Sequence, residues 1–131
     1  MIFLDTDIIS YYFNANLKIK EKLLEAIDNN KNICMTVINV YEILKGFKWK
    51  NNKNIENKFK EFLEDVFVFT IDDEVINIAS EIYSSLRKSG KTIGDADILI
   101  AAIVIKNEGI LVTNNVKHYE DIKYLKIINW L

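Results

Sequence analysis

The chain has 131 residues, of which half are hydrophobic, with no proline, four glycines and one cysteine. This length suffices for one domain, predicted over residues 1–131, that buries its own core, and the scarcity of proline and glycine excludes a long disordered linker. The single cysteine excludes an internal disulfide and a cysteine-rich zinc site, and a net charge of −2 leaves any phosphate contact to local lysines.

Short apolar runs alternate along the chain with segments of helical periodicity. In chain order we predict a strand at Ile2–Leu4, helices at Ile8–Phe13 and Leu17–Ile27, a strand at Ile33–Val37, helices at Val40–Trp49 and Ile55–Leu63, a strand at Val66–Ile71, a helix capped by Asp72 and ended by Ser89 and Gly90, a helix at Asp95–Asn107, and strands at Ile110–Val112 and Lys126–Ile128. The second helix should bury one apolar side made of Leu17, Leu23, Leu24 and Ile27.

The strands lack the polar and apolar alternation of a half-exposed sheet. This pattern is typical of a short parallel central sheet covered by helices on both faces, an α/β sandwich of three layers. Ligands of such sheets collect at the carboxyl ends of the strands, and Asp5 and Thr113 each follow a strand at that edge.

Three acidic residues adjoin strongly apolar segments. Asp5 follows the first strand, Glu42 lies inside an apolar helix, and Asp97 precedes the apolar run Ile98–Ile105. Because an ionised carboxylate in an apolar element costs several kcal/mol of desolvation, it needs a cation or hydrogen bonds as compensation. We therefore expect these acids to meet at a metal site, although Glu42 could instead pair with Lys45 on a helix surface.

Further polar residues surround these three acids in the sequence. Thr6 and Asp7 could orient a metal ligand or cap the following helix, and Thr113 could support the site or form a turn. Asp95 is expected to cap its helix, and His118, the only histidine, is expected in a surface or turn position.

A carboxylate set without histidines is rich in oxygen, which suits Mg²⁺, with Mn²⁺ as the alternative, and does not suit zinc. Such ions act on phosphodiesters by activating water and by stabilising developing negative charge. The acids after the first strand, Asp5 and Asp7, also permit a phosphatase of the haloacid dehalogenase type, with Asp5 as nucleophile.

Five motifs resemble the PIN-domain family, specifically the VapC-type toxins of toxin–antitoxin pairs. They are Phe-Leu-Asp-Thr-Asp-Ile-Ile, Val-Tyr-Glu-Ile-Leu-Lys-Gly, Ile-Gly-Asp-Ala-Asp-Ile-Leu-Ile-Ala-Ala, Leu-Val-Thr-Asn-Asn-Val-Lys-His-Tyr and Ile-Ile-Asn-Trp. They cover the whole chain in the family's order. The resemblance implies a Mg²⁺-dependent endoribonuclease whose metal-binding acids are Asp5, Glu42 and Asp97, with Thr113 as a supporting hydroxyl.

One position departs from the family pattern, because Asn115 stands where many members have a fourth acid. Asn115 is placed in the catalytic set as a ligand through its carbonyl oxygen or through water, or Asp95 takes over that place. The number of metal ions, one or two, depends on this position. The departure also keeps open a second function, a PIN-like module that holds RNA or protein without cutting.

The resemblance further implies a homodimer and a small antitoxin whose tail fills the active-site groove. No apolar stretch reaches the roughly 18 residues of a membrane span, and no signal peptide is visible, so we expect no membrane contact and a cytoplasmic location.

Overall fold

The computed structural model describes residues 1–131 and contains five strands and seven helices. In chain order these are β1 (Ile2–Leu4), α1 (Thr6–Phe13), α2 (Leu17–Asp28), β2 (Ile33–Thr36), α3 (Val37–Trp49), α4 (Lys53–Leu63), β3 (Phe67–Phe69), α5 (Asp73–Lys88), α6 (Asp95–Lys106), β4 (Ile110–Val112), α7 (Val116–Tyr119) and β5 (Lys126–Ile128). The predicted elements are therefore all present, and the one-turn helix α7 is an addition to them.

The five strands form one parallel sheet in the order β3-β2-β1-β4-β5. The chain first builds outward from β1 to β3 and then returns to add β4 and β5 on the other side. The strand order therefore reverses between β1 and β4, and ligands of open parallel sheets bind at the carboxyl ends beside such a reversal. Asp5 and Thr113 are the first residues beyond these two strands.

Neighbouring residues of the central strands point to opposite faces of the sheet and divide the core in two. Phe3 and Leu111 pack with α5, α6 and α7 in one cluster, whereas Leu4 and Val112 pack with α1 to α4 in the other. All four strand residues are at most 2% exposed. This arrangement confirms the predicted sandwich with helices on both faces.

Side-chain caps explain why two helices begin earlier than predicted. The Asp5 carboxylate accepts a hydrogen bond from the Thr6 amide, and α1 begins at Thr6. The Thr36 hydroxyl accepts a hydrogen bond from the Asn39 amide at 3.1 Å, so β2 ends at Thr36 and α3 follows at once. Asp72 caps α5 as predicted, by accepting from the Val75 amide at 2.9 Å.

The buried side of α2 differs from the predicted one. The residues that it buries are Ile19, Leu23 and Ala26, which recur at helical spacing, while Leu17, Leu24 and Ile27 are exposed. Leu24 and Ile27 instead line one wall of an apolar groove of about 580 Å³, whose other wall contains Phe62, Val66 and Phe67. None of the seven helices combines the length and the apolar character that crossing a lipid bilayer would need.

Candidate active site

Asp5 is a buried carboxylate, 5% exposed, whose two oxygens both accept hydrogen bonds. Its Oδ1 accepts from the Thr6 amide and from Asn39 Nδ2, each at 2.9 Å. Its Oδ2 accepts from the Thr113 hydroxyl at 2.8 Å. Because an unpaired buried carboxylate would cost several kcal/mol, these donors from α1, α3 and the end of β4 are what permit its burial.

A second chain of hydrogen bonds connects Asp5 with Glu42. Asn39 is fully buried, and its Nδ2 also donates to Thr6 Oγ1 at 2.9 Å. The Thr6 hydroxyl in turn donates to Glu42 Oε1 at 2.8 Å. Asn39 and Glu42 are three positions apart on α3 and therefore share a helix face. Glu42 forms no ion pair with Lys45, so the surface alternative for Glu42 is not found in this structure.

Asp97 lies in the first turn of α6, with its side chain 27% exposed. Tyr119 donates its hydroxyl to Asp97 Oδ1 at 3.2 Å, and His118 Nδ1 lies 3.3 Å from Asp97 Oδ2. Burial, followed by the charges of Asp5 and Asp97, raises the pKa of the Tyr119 phenol, so Tyr119 is a donor at neutral pH. His118 is exposed as expected, but it contacts an acid of the candidate site.

Asp7 and Thr113 tie the start of α1 to the turn after β4. Asp7 Oδ1 accepts from the Ile8 amide at 2.7 Å, and Oδ2 accepts from the Asn114 amide at 2.9 Å. Burial, with the Asp5 charge second, raises the pKa of Asp7. The Thr113 hydroxyl, which donates to Asp5, also accepts from the Asn115 amide at 3.0 Å. These contacts support the position of Asp5.

The structure does not bring Asn115 and Asp95 into this network through their side chains. Asn115 is exposed, and only its backbone amide contacts Thr113. Asp95 is also exposed, and the prediction that it caps α6 is wrong. Gly94 has the extended backbone of the cap position, while Asp95 is already the first helical residue, so its side chain cannot reach back as a cap.

The donor set has the chemistry of a site for Mg²⁺ or Mn²⁺, because carboxylate and hydroxyl oxygens surround the end of β1. No group of three or more aspartate, glutamate, histidine and cysteine side chains is close enough to hold one ion together. Instead, Thr6 joins Asp5 and Glu42, because its amide donates to Asp5 and its hydroxyl donates to Glu42, while the Tyr119 hydroxyl donates to Asp97. The donor atoms therefore suit the ion by type, but the acids lie farther apart than direct coordination of one ion requires.

Two residues of the site, Asn39 and Tyr119, are absent from the prediction based on the sequence. Asn39 was detectable as a polar residue in the apolar run Val37–Val40, three positions before Glu42. Tyr119 carried no such signal, because it enters the site through the short helix α7, which the sequence pattern did not predict.

A polar cavity of about 370 Å³ adjoins Asp97. Its walls include Lys91, Gly94, Asp97, Lys117, His118 and Asp121. Lys91 is paired with Asp121 at 2.7 Å, whereas Lys117 takes part in no ion pair. Lys117 is thus a free cation beside the acids.

Two known proteins are similar in sequence to this chain over most of its length. Ribonuclease VapC1 of Methanocaldococcus jannaschii is 34% identical over 122 residues, which are 93% of this chain and 81% of that protein. Ribonuclease VapC2 of Rickettsia felis is 30% identical and matches 97% of this chain and 96% of its own length.

Solved structures of toxin–antitoxin complexes contain chains with the same fold as this one. The structure of VapBC2 from Rickettsia felis bound to a promoter DNA fragment matches with a TM-score of 0.89 at 28% identity, over 100% of both chains. VapBC-1 from nontypeable Haemophilus influenzae matches with a TM-score of 0.85 at 28% identity, over 99% of this chain and 98% of that one. The family model described as PIN domain matches residues 2–122. The chain belongs to the PIN-domain family.

Proposed function

We propose that this chain is the ribonuclease toxin of a toxin–antitoxin pair and that it hydrolyses RNA phosphodiester bonds as a Mg²⁺-dependent endonuclease. The relatives that match nearly its whole length are named ribonucleases VapC. The observation that carries the proposal is the hydrogen-bonded network that joins Asp5 to Glu42 at the reversal of strand order, together with Asp97, which is held by Tyr119 of the helix after β4. Because the chain belongs to the PIN-domain family, the alternative of a phosphatase of the haloacid dehalogenase type is set aside.

The roles of the acids follow from how each is held. Asp5 accepts hydrogen bonds from three donors, so its carboxylate is the most firmly held of the three acids. Glu42 and Asp97 are partly exposed and keep oxygen lone pairs free for a ligand. Bound Mg²⁺ would supply an activated water and charge stabilisation at the phosphate. Asn115 stays a predicted contributor, and Asp7 and Thr113 support Asp5.

The polar cavity beside Asp97 is the proposed route for the RNA backbone. A polyanion approaching several carboxylates needs positive charge nearby, because the Coulomb energy is otherwise unfavourable. Lys117 supplies a cation on that cavity without a competing carboxylate partner. The cavity has only one hydrophobic lining residue, which suits a phosphate and sugar backbone.

The apolar groove beside α2 is the proposed docking surface for the antitoxin. Its walls expose Leu24, Ile27 and Phe67 by 49–60%, an unusual set of large apolar side chains to leave in water. The structures that resemble this chain include VapBC complexes. An amphipathic antitoxin segment would cover these side chains with its apolar face. Homodimer formation and a cytoplasmic location stay predictions from the family resemblance.

A binding module that does not cut RNA is the second candidate, because the three acids are spaced too widely to hold one ion in this structure and Asn115 replaces an acid. Incubation of a total RNA pool with the purified protein separates the two candidates. We expect cleavage with Mg²⁺, none with EDTA, and none by Asp97→Asn, while the exposed Asp95→Asn control still cuts. Asp97→Asn should also abolish growth inhibition in cells. Binding without cleavage by the parent protein would establish the second candidate instead.

A further inference from the structure

We propose that Tyr119 is a positioning residue of the candidate site: its hydroxyl fixes the Asp97 carboxylate and thereby sets the affinity of the site for a divalent cation. This inference rests on the proposed metal-dependent function. It assigns a role to a residue that is neither an acid nor a ligand.

The backbone places Tyr119 firmly. Helix α7 follows β4 after a three-residue turn, and its start is held by the hydrogen bond from the Asn115 amide to the Thr113 hydroxyl. The Tyr119 side chain is 1% exposed and belongs to the core cluster that also contains Ile122 and Phe3. Because interiors are close-packed, the ring has little room to turn. Its hydroxyl therefore has a nearly fixed position beside Asp97.

The hydroxyl is the firmly placed partner of the Asp97 carboxylate. It donates to Asp97 Oδ1 at 3.2 Å, while Asp97 Oδ2 lies 3.3 Å from His118 Nδ1. Hydrogen bonds of this kind orient carboxylates that bind a metal ion. The Tyr119 hydroxyl therefore sets the direction in which Asp97 presents its oxygens.

Asp97 depends on Tyr119 more than Asp5 does. Asp5 retains its bonds from Thr6, Asn39 and Thr113 when the phenol hydroxyl is removed. Asp97 would retain only His118, whose side chain is 62% exposed and is therefore weakly fixed. Loss of the hydroxyl should let the Asp97 carboxylate turn out of its present orientation. Loss of a hydrogen-bond partner of a metal ligand lowers metal affinity by about 10–100-fold.

The test is Mn²⁺ binding by Tyr119→Phe, measured by electron paramagnetic resonance or calorimetry without RNA. The substitution keeps the ring and its core contacts and removes only the hydroxyl. The matched control is Tyr124→Phe, which removes the same hydroxyl from a residue that is 89% exposed. We expect the dissociation constant to rise by about 10–100-fold for Tyr119→Phe and to stay unchanged for Tyr124→Phe.

A double substitution shows whether Tyr119 acts through Asp97. In an Asp97→Asn background, Tyr119→Phe should weaken Mn²⁺ binding by less than threefold further. An equal loss in both backgrounds, or a Tyr119→Phe affinity within twofold of the parent, would overturn the inference. If the parent itself binds no Mn²⁺, the proposed metal-dependent function fails at its first step, which distinguishes the two failures.

Discussion

Replacement of Thr113 by valine tests whether hydrogen bonds hold the buried carboxylate of Asp5. Valine has nearly the shape of threonine, so the change removes the hydroxyl without opening a cavity. Two hydrogen bonds are lost, one of 2.8 Å to ionised Asp5 and one of 3.0 Å from the Asn115 amide. A bond to a charged group contributes about 1.5–3 kcal/mol and a neutral one about 0.5–1.5 kcal/mol, so we expect about 2–4 kcal/mol of lost stability.

The assay is urea denaturation at neutral pH in EDTA, compared between the parent protein and Thr113→Val. The matched control is Thr70→Val, because Thr70 is exposed and its hydroxyl is in no hydrogen bond, so its effect should stay within about 0.5 kcal/mol. A loss for Thr113→Val no larger than that of the control would refute the reasoning, since Asp5 would then not depend on this donor.

Three further changes test other parts of the account. Asn39→Asp replaces a donor to Asp5 by a second carboxylate, and we expect urea denaturation to show about 3–5 kcal/mol of lost stability, less at acid pH. The hydrogen bond from Lys106 lowers the pKa of Asp72 below its ordinary value of 3.8. The stability that ionised Asp72 contributes is therefore fully present above pH 3.8 and is lost as the pH falls through the lowered pKa. The difference in stability between the parent and Asp72→Asn, which keeps a helix cap, should therefore shrink in acid. Lys117→Gln should raise the KM for RNA and lower the salt slope of binding by about one.

The fold was predictable because its determinants are local. The strands lack an alternation of polar and apolar residues, which indicates a parallel sheet covered on both faces. The amphipathic helices and the Asp72 cap indicate the order of the elements. The exposed side of α2 was not predictable in this way. Leu24 and Ile27 have the spacing of a buried stripe, but the neighbouring elements leave a groove beside them.

The candidate site was predictable to a smaller extent. The acids stood out because Asp5, Glu42 and Asp97 interrupt apolar segments, and the structure joins Asp5 to Glu42 through Thr6 and holds Asp97 through Tyr119. Their partners could not be read from periodicity, because Asn39 and Tyr119 act through contacts between distant segments. The order of strands, which puts β1 beside β4, is what brings these segments together.

The most direct measurement is the initial cleavage rate of one labelled single-stranded RNA as the Mg²⁺ concentration is raised. It compares the parent protein with Asp5→Asn, Glu42→Gln and Asp97→Asn, and it uses Asp95→Asn as the control. We expect a saturable increase in rate for the parent and the control, and no Mg²⁺-dependent cleavage by the other three. Cleavage by the parent that persists in EDTA, or undiminished cleavage by Asp97→Asn, would contradict this expectation.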